Sequence, residues 1–337
     1  MGSSCYDKMI KGFWKKIKRP VFVLAPMADV TDAAFRRIIA KHGKPDVIWT
    51  EFVACAGLCS EKGRPRLLKD LDFDKSERPI VAQLFGSRPD QMEECARLIR
   101  KLKFDGLDIN MGCPDKAIEK QGAGAALIKN PKLARELILA AKKGAGDMPV
   151  SVKTRIGYNT NILKEWLPIL LEAEPSAITI HARTRKEMSK APAQWDVIGE
   201  AVVMAKKYDS SPSRALILGN GDVRDIKDAE DKVRKYGVDG VMLGRAIFGN
   251  PWLFNRKFEG KEIPLKERMK VMVEHTKLFE KMYKDIKRFD IMKKHYKAYA
   301  SGFDGAKELR IELMGAKNSK EVEVIVKQFI KTGLAGH

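Results

Sequence analysis

Polar side chains recur in this sequence where a short β-branched run stops. In order the strand ends carry Pro26 and Met27, Glu51, Gln83, Asn110 with Cys113, Lys153 with Arg155, His181 with Arg183, the tetrad Gly219-Asn220-Gly221-Asp222, and Gly244-Arg245. The sharpest is DGLDINMGCP at 105–114, where Leu107 and Ile109 alternate with Asp108 and Asn110 before Gly112 and Pro114 break the run around Cys113. A thiol held on such a turn can give a proton or attack an electrophile, although free cysteines are most often small buried hydrophobes. Glycines let backbone N–H groups approach an anion, so the two Gly-rich turns suit a phosphate, and Arg245 can add a charge-assisted bond. Gln83, Lys153 and His181 suit a flavin ring, because an amide matches its pyrimidine edge and a cation near N1 and O2 stabilises the reduced form. Taken singly, His181 reads as a core histidine and Lys153 as half of an ion pair. Gathered on successive strand ends they read as a site.

These side chains meet only if the runs are neighbouring strands. Eight runs, at 21–25, 47–51, 80–85, 106–110, 150–154, 177–181, 215–219 and 240–243, alternate with amphipathic stretches at 32–41, 89–102, 131–142, 163–171, 195–207 and 224–236. That alternation specifies a parallel sheet wrapped by helices. Eight strand-crossover units match an α/β fold of the (β/α)8 TIM-barrel type, at about 250 residues, in which all carboxyl strand ends converge on one face. A doubly wound open sheet would carry a Gly-rich fingerprint after its first strand, which this sequence lacks. From Pro264 onward only helical periodicity remains, interrupted at Ser301-Gly302, Gly305 and Gly315. The expected organisation is a catalytic barrel at 1–255 and a small all-helical domain at 264–332.

Charge narrows the partners. The 337 residues carry 64 Lys and Arg against 44 Asp and Glu, a formal +20. That excess favours a polyanion, nucleic acid first and an anionic membrane surface second. No apolar run approaches the ~18 residues of a membrane span, so a soluble protein is expected. The segment MGSSCYDKMIKGFWKKIKRP lacks the apolar core and cleavage site of a secretory signal, and Tyr6 stands where myristoylation needs Ser or Thr. Its Phe13 and Trp14 read as a plug for a barrel floor, or alternatively as a contact with an acidic surface. Cys5, Cys55, Cys59, Cys95 and Cys113 form an odd, scattered set, which fits a reducing cytoplasm better than a disulfide framework. Cys55 and Cys59 read as packing residues, with no metal-like ligand spacing around them. In the helical stretch Tyr283, Tyr296, Tyr299 and Phe303 interleave with Lys281, Lys284, Lys293, Lys294 and Lys297, a mixture suited to RNA; the plain alternative is a solvated helix face.

Several blocks in order resemble one family. LAPMADVTD at 24–32, VAQLFGS at 81–87, DINMGCP at 108–114, GAGAAL at 122–127, VKTRIG at 152–157, ITIHARTR at 178–185, GNGD at 219–222 and GRAIFGNPW at 244–252 resemble the tRNA-dihydrouridine synthases. KKHYKAYASGFDGAKELR at 293–310 is similar to that family's helical RNA-binding domain. The resemblance implies an FMN-dependent enzyme, with NADPH as electron donor, that reduces selected tRNA uridines to 5,6-dihydrouridine. It implies that Pro26, Met27, Ala28, Gln83, Lys153, His181, Asn220, Gly221, Asp222, Gly244 and Arg245 hold FMN. It implies that Asn110, Arg155 and Arg183 face the uracil or nearby RNA backbone. Cys113 is then the general acid, giving C5 its proton after hydride passes from flavin N5 to C6. A thiol of ordinary pKa, about 8.5, is mostly protonated at neutral pH and needs no adjacent base for that role. The uridine must leave its stack to be reached. Departures from the family pattern lie at Asp29, at TEFVACAGLCS on the second strand, and at Ala182; they bear on the shape of the pocket.

Two other classes compete. One is a flavin barrel acting on a free pyrimidine or similar small molecule, against which the basic helical appendage argues. The other is an RNA-binding protein without catalysis, against which the full strand-end set argues. For docking, Lys116, Lys120, Lys293, Lys294, Lys297 and Arg310 are expected to contact tRNA phosphates, with ordinary surface charge as the alternative. No stable protein partner and no membrane attachment are implied.

Overall fold

β-branched residues pack well on a pleated surface, and in the computed structural model, which describes residues 12–208 and 215–333, each of the eight runs is a strand. They are β1 Val21–Leu24, β2 Ile48–Ala54, β3 Ile80–Phe85, β4 Gly106–Met111, β5 Val150–Arg155, β6 Ala177–His181, β7 Leu216–Asn220 and β8 Gly240–Leu243. Their order in the sheet is β1-β8-β7-β6-β5-β4-β3-β2 and the pairs are parallel. A parallel bridge between Val23 and Val47, with Leu24 N donating to Val47 O at 3.2 Å, joins the two ends of the sheet. This is the TIM-barrel arrangement. β2 runs on to Ala54 beyond its β-branched start, with a register shift against β3 between Trp49 and Phe52.

Helices Ala33–His42, Pro89–Lys101, Pro131–Ala145, Leu163–Glu172, Trp195–Tyr208 and Ile226–Tyr236 fall where the amphipathic periods place them. Three of the six start on a side-chain cap: Asp32 accepts from Phe35 N, Asn130 from Leu133 N ahead of Pro131, and Asp225 from Asp228 N. On β4 all six residues are buried. Leu107 and Ile109 occupy one face of the strand, and Asp108 and Asn110 turn to the barrel interior. The interior is filled by Trp14, Val21, Val23, Val47, Trp49, Val81, Ala177, Leu216, Leu218 and Met242, with Phe13 packed against them. Trp14 is 2% exposed and Phe13 lies 3.0 Å from a Cβ built on Gly106, the first residue of β4. The aromatic pair thus plugs the floor. Cys5 and the other residues ahead of Gly12 lie outside the described residues.

The chain divides into two compact units, one holding the residues up to Met27 and Asp46–Gly244, the other Ala28–Pro45 and the residues from Arg245 on. The second unit gathers helix Ala33–His42 with helices Leu265–Tyr283, Met292–Tyr299, Ala306–Gly315 and Ser319–Gly333. Phe35 stacks on His275 at 4.7 Å and meets His295 edge-on at 4.8 Å, and Ala33 N donates to the Tyr283 hydroxyl at 3.1 Å. Tyr283, Tyr296 and Tyr299 are buried. These rings are core, which corrects the expectation that they interleave with lysines as an RNA-stacking surface; Phe303 alone of the four is half-buried, under the Arg268 guanidinium. No helix among the described residues is long and apolar enough to cross a membrane.

Candidate active site

Register places Gln83 opposite Asp108, and Asp108 opposite Ser151, so polar side chains from β3, β4 and β5 meet inside the barrel. A buried carboxylate needs partners. Asp108, 0% exposed, accepts from Gln83 Nε2 at 2.6 Å on one oxygen and from Ser151 Oγ at 2.5 Å on the other. Burial pushes its acid up to about 6, against the lowering pull of Ser151, Gln83 and Lys153. Lys153 follows two residues after Ser151 on the same face. Burial brings its ammonium down to about 8, with the Arg155 charge pressing the same way and Asp108 opposing. Among the described residues that ammonium has no hydrogen-bond partner.

The turn after β4 is held from several sides. Asn110 Nδ2 donates to Gln83 Oε1 at 2.9 Å, and Asn110 Oδ1 accepts from Gly112 N at 3.1 Å and Cys113 N at 2.9 Å. Arg155 Nε donates to Gly112 O at 2.7 Å, and Ala125 N to Cys113 O at 2.9 Å. Gly124 adopts φ +60°, and a Cβ there would lie 2.8 Å from Cys113 O. Helix Lys116–Glu119 then starts on Asp115, whose side chain accepts from Ala117 N and Ile118 N. Glu119 forms a bidentate pair with Arg185 from the loop after β6. Cys113 is half-buried. Burial raises its thiol above the usual range, and the neighbouring charges of Lys153 and Arg155 only partly offset this.

At the ends of β6 and β7, Arg183 pairs with Asp222, donates to Ala191 O and lies 3.4 Å from His181 Nε2. Asp222 also accepts from Ala193 N at 2.9 Å, Trp195 Nε1 donates to Gly221 O at 2.7 Å, and Asn220 Nδ2 donates to Met242 O on β8 at 2.8 Å. Gly221 sits at φ +127°, with His181 and Ala193 close against the place a Cβ would take.

A model of the family described as dihydrouridine synthase matches residues 23–333. The chain belongs to the dihydrouridine synthase family. It is 40% identical over 323 residues to the "Probable tRNA-dihydrouridine synthase" of Staphylococcus aureus (strain MRSA252), covering 95% of this chain and 96% of that protein. It is 40% identical over 330 residues to the "Probable tRNA-dihydrouridine synthase 2" of Bacillus subtilis (strain 168), covering 97% and 99%. Among solved structures, morphinone reductase is similar with a TM-score of 0.53 at 12% identity over 75% of this chain and 91% of that one. The old yellow enzyme homologue from Zymomonas mobilis gives 0.50 at 14%, over 72% and 89%. At these identities the likeness is one of fold, and it agrees with a TIM barrel.

In this dihydrouridine synthase family member the strand-end residues Gln83, Asn110, Cys113, Lys153, Arg155, His181, Arg183 and Asn220 to Asp222 lie at the carboxyl ends of β3 to β7. Met27 Sδ and Ala25 Cβ border Gly244. Ala28 and Arg245 belong to the second unit, where Arg245 opens a short 3-10 turn to Ile247. Arg155 and Arg183 are buried and tie loops together, Arg155 Nη1 donating to Thr184 O at 3.2 Å and Met188 O at 3.3 Å. Of the basic residues expected at tRNA, Lys116, Lys120 and Lys297 are exposed and form no ion pair among the described residues. Lys293 pairs with Asp290 at 2.6 Å, Lys294 lies 3.9 Å from Asp29, and Arg310 donates to Ala300 O at 2.7 Å. The structure adds Asp108, Ser151 and Glu119. Asp108 shares its alternation with Asn110, which is the sequence signal that could have found it.

Proposed function

We propose that this protein reduces uridine in tRNA to 5,6-dihydrouridine on a bound FMN recharged by NADPH, with the barrel carrying the chemistry and 264–332 binding the tRNA. The observation that carries the reading is the Cys113 thiol, kept protonated by burial on a turn pinned by Asn110. The donor set fits a flavin: a Lys153 ammonium on β5 with no ion pair among the described residues, and amides at Gln83 and Asn220 that each keep one N–H beyond those given to Asp108 and to Met242 O. When bound and reduced, the flavin supplies the hydride that adds to uracil C6. Cys113 then gives its proton to C5, and the Lys153 and Arg155 charges stabilise the thiolate left behind. Asn110 spends its carbonyl on the Cys113 turn and keeps one N–H for the uracil. The four described cysteines are free thiols, which suits work in the cytoplasm.

The purified protein is expected to be yellow. Cys113→Ala should keep the flavin and lose on the order of 10²- to 10⁴-fold in dihydrouridine formation, the span of a general acid. Mapping dihydrouridine in treated tRNA, with free uridine as the competing substrate, checks both. Turnover of the variant at the parental rate would remove Cys113 from its role, and preference for free uridine would favour a small-molecule reductase.

A further inference from the structure

A primary amide presents a donor at one end and an acceptor at the other on nearly the same shape, so packing alone does not decide which way it points. Two such amides, Gln83 and Asn110, stand in series inside the barrel. The groups at the two ends of the series have fixed polarity. Gly112 N and Cys113 N only donate, and both point at Asn110 Oδ1, at 3.1 and 2.9 Å. That leaves Asn110 Nδ2 facing Gln83, which must answer with Oε1, as it does at 2.9 Å. Gln83 is then left with Nε2 pointing at residue 108, where only an acceptor satisfies it. The Asp108 carboxylate accepts at 2.6 Å, and its other oxygen is taken by Ser151 Oγ at 2.5 Å.

We propose that Asp108 is a positioning residue that sets the polarity of the Gln83 and Asn110 amides and, through them, the seat of the Cys113 thiol. Its catalytic consequence rests on the uridine reduction proposed above, whereas the seating of the thiol is measured without that reaction. Without an acceptor at position 108, Gln83 keeps its bond from Asn110 but its Nε2 becomes a buried donor without a partner, which only a turn of the amide relieves. Once Gln83 turns, Asn110 Nδ2 faces a second donor, and the two backbone N–H groups of the turn lose the oxygen that holds them. A buried donor without a partner is unfavourable, so the turn has to loosen. The residue never touches the thiol. It acts across two side chains.

The test is alkylation of the full-length, substrate-free protein by iodoacetamide, with each cysteine followed separately by peptide mass spectrometry. Asp108→Leu keeps a branched side chain of similar shape but has no acceptor, and it should speed Cys113 labelling about tenfold relative to Cys59. The Cys59 comparison matters because a general loosening of the barrel would raise both rates. Asp108→Asn restores an acceptor, since Ser151 Oγ can turn its hydrogen to Leu107 O, now 3.4 Å away. It should label within about twofold of the parent. Gln83→Met breaks the series one link downstream and should match Asp108→Leu, which keeps the test decisive where the leucine variant does not fold. In turnover with tRNA, Asp108→Leu should lower kcat with little change in KM, and the asparagine variant should recover it. A parental Cys113-to-Cys59 labelling ratio in folded Asp108→Leu or in Gln83→Met would overturn the proposal. Equal disturbance by leucine and asparagine would also overturn it, because the charge and not the polarity would then be at work. Absence of tRNA reduction by the parent protein would strike the proposed function and leave the labelling result standing.

Discussion

At Gly221 two constraints coincide. Its φ of +127° is a conformation that side-chain-bearing residues rarely adopt, and a Cβ would lie 3.0 Å from Ala193 Cβ and 3.1 Å from His181 Cδ2. Gly221→Ala is therefore expected to destabilise the barrel by about 1–3 kcal/mol, read as a lower Tm, and to weaken flavin binding at least tenfold in a fluorescence titration by displacing the His181 ring. An alanine variant with parental Tm and flavin affinity would show that the backbone relaxes freely there. This position is legible in the sequence, because a Gly-Asn-Gly-Asp tetrad at a strand end announces a backbone that only glycine tolerates. Asp108 and Ser151 are not legible in the same way. Alternation puts Asp108 on the face opposite Leu107 and Ile109, but the polar face of a strand ordinarily meets water. Closure of the barrel turns that face inward, and the register of three strands places Asp108 between Gln83 and Ser151. Arg183 and Asp222 likewise find each other across 39 positions of chain, a pairing that local spacing does not encode.

At the level of elements, the strand and helix starts follow the sequence closely because capping and breaking residues act locally. The faces of the C-terminal helices mislead, although the needed signal is present. In helix Met292–Tyr299 the buried residues are Met292, His295, Tyr296 and Tyr299, the i, i+3, i+4, i+7 stripe of a core-facing helix, and the lysines between them lie off that stripe. What spacing cannot supply is the partner: Phe35, from helix Ala33–His42 near the other end of the chain, lies against both His275 and His295. The two imidazoles are 4.6 Å apart, and their ring nitrogens have no hydrogen-bond partner among the described residues. Burial drives His275 well below its ordinary range, with His295 adding to the effect, and takes His295 down to about 3, with Lys294 adding to it. Both rings are therefore neutral in the folded protein, while the unfolded chain titrates near pH 6.5. The stability this contributes is complete above about pH 6.5 and is lost as the pH falls toward about 3. At pH 5 the loss from His295 amounts to about 2 kcal/mol, and His275 adds to it in the same direction. Thermal melts followed by circular dichroism from pH 7.5 to 5.0 should show this fall, and His295→Phe should make it distinctly smaller; an undiminished slope in that variant would assign the acid sensitivity to other groups.

The whole molecule carries +20, and for a tRNA-binding protein the question is how much of that charge is free to meet phosphate. A cation already paired with a carboxylate must exchange one anion for another, so it releases fewer counterions from the RNA than a solvated one does. Lys293 and Lys294 stand beside Asp290 and Asp29, and the Arg310 guanidinium donates to the Ala300 carbonyl. Lys116, Lys120 and Lys297 are exposed without an ion pair among the described residues. The six residues that look equivalent in sequence thus divide into two sets of three. Each phosphate contact contributes about 0.7 to 0.9 to the slope of log affinity against log salt. Changing Lys116, Lys120 and Lys297 together to Gln is therefore expected to flatten that slope by about 2 in filter-binding or anisotropy titrations with unmodified tRNA. The matching change of Lys293, Lys294 and Arg310 should flatten it by less than half as much. Since Arg310 also holds Ala300, that second set should lower Tm as well, whereas the first should not. Equal flattening by both sets would mean that the carboxylate partners yield to tRNA at no disadvantage, and an unchanged slope in the first set would move the RNA path to other parts of the basic surface.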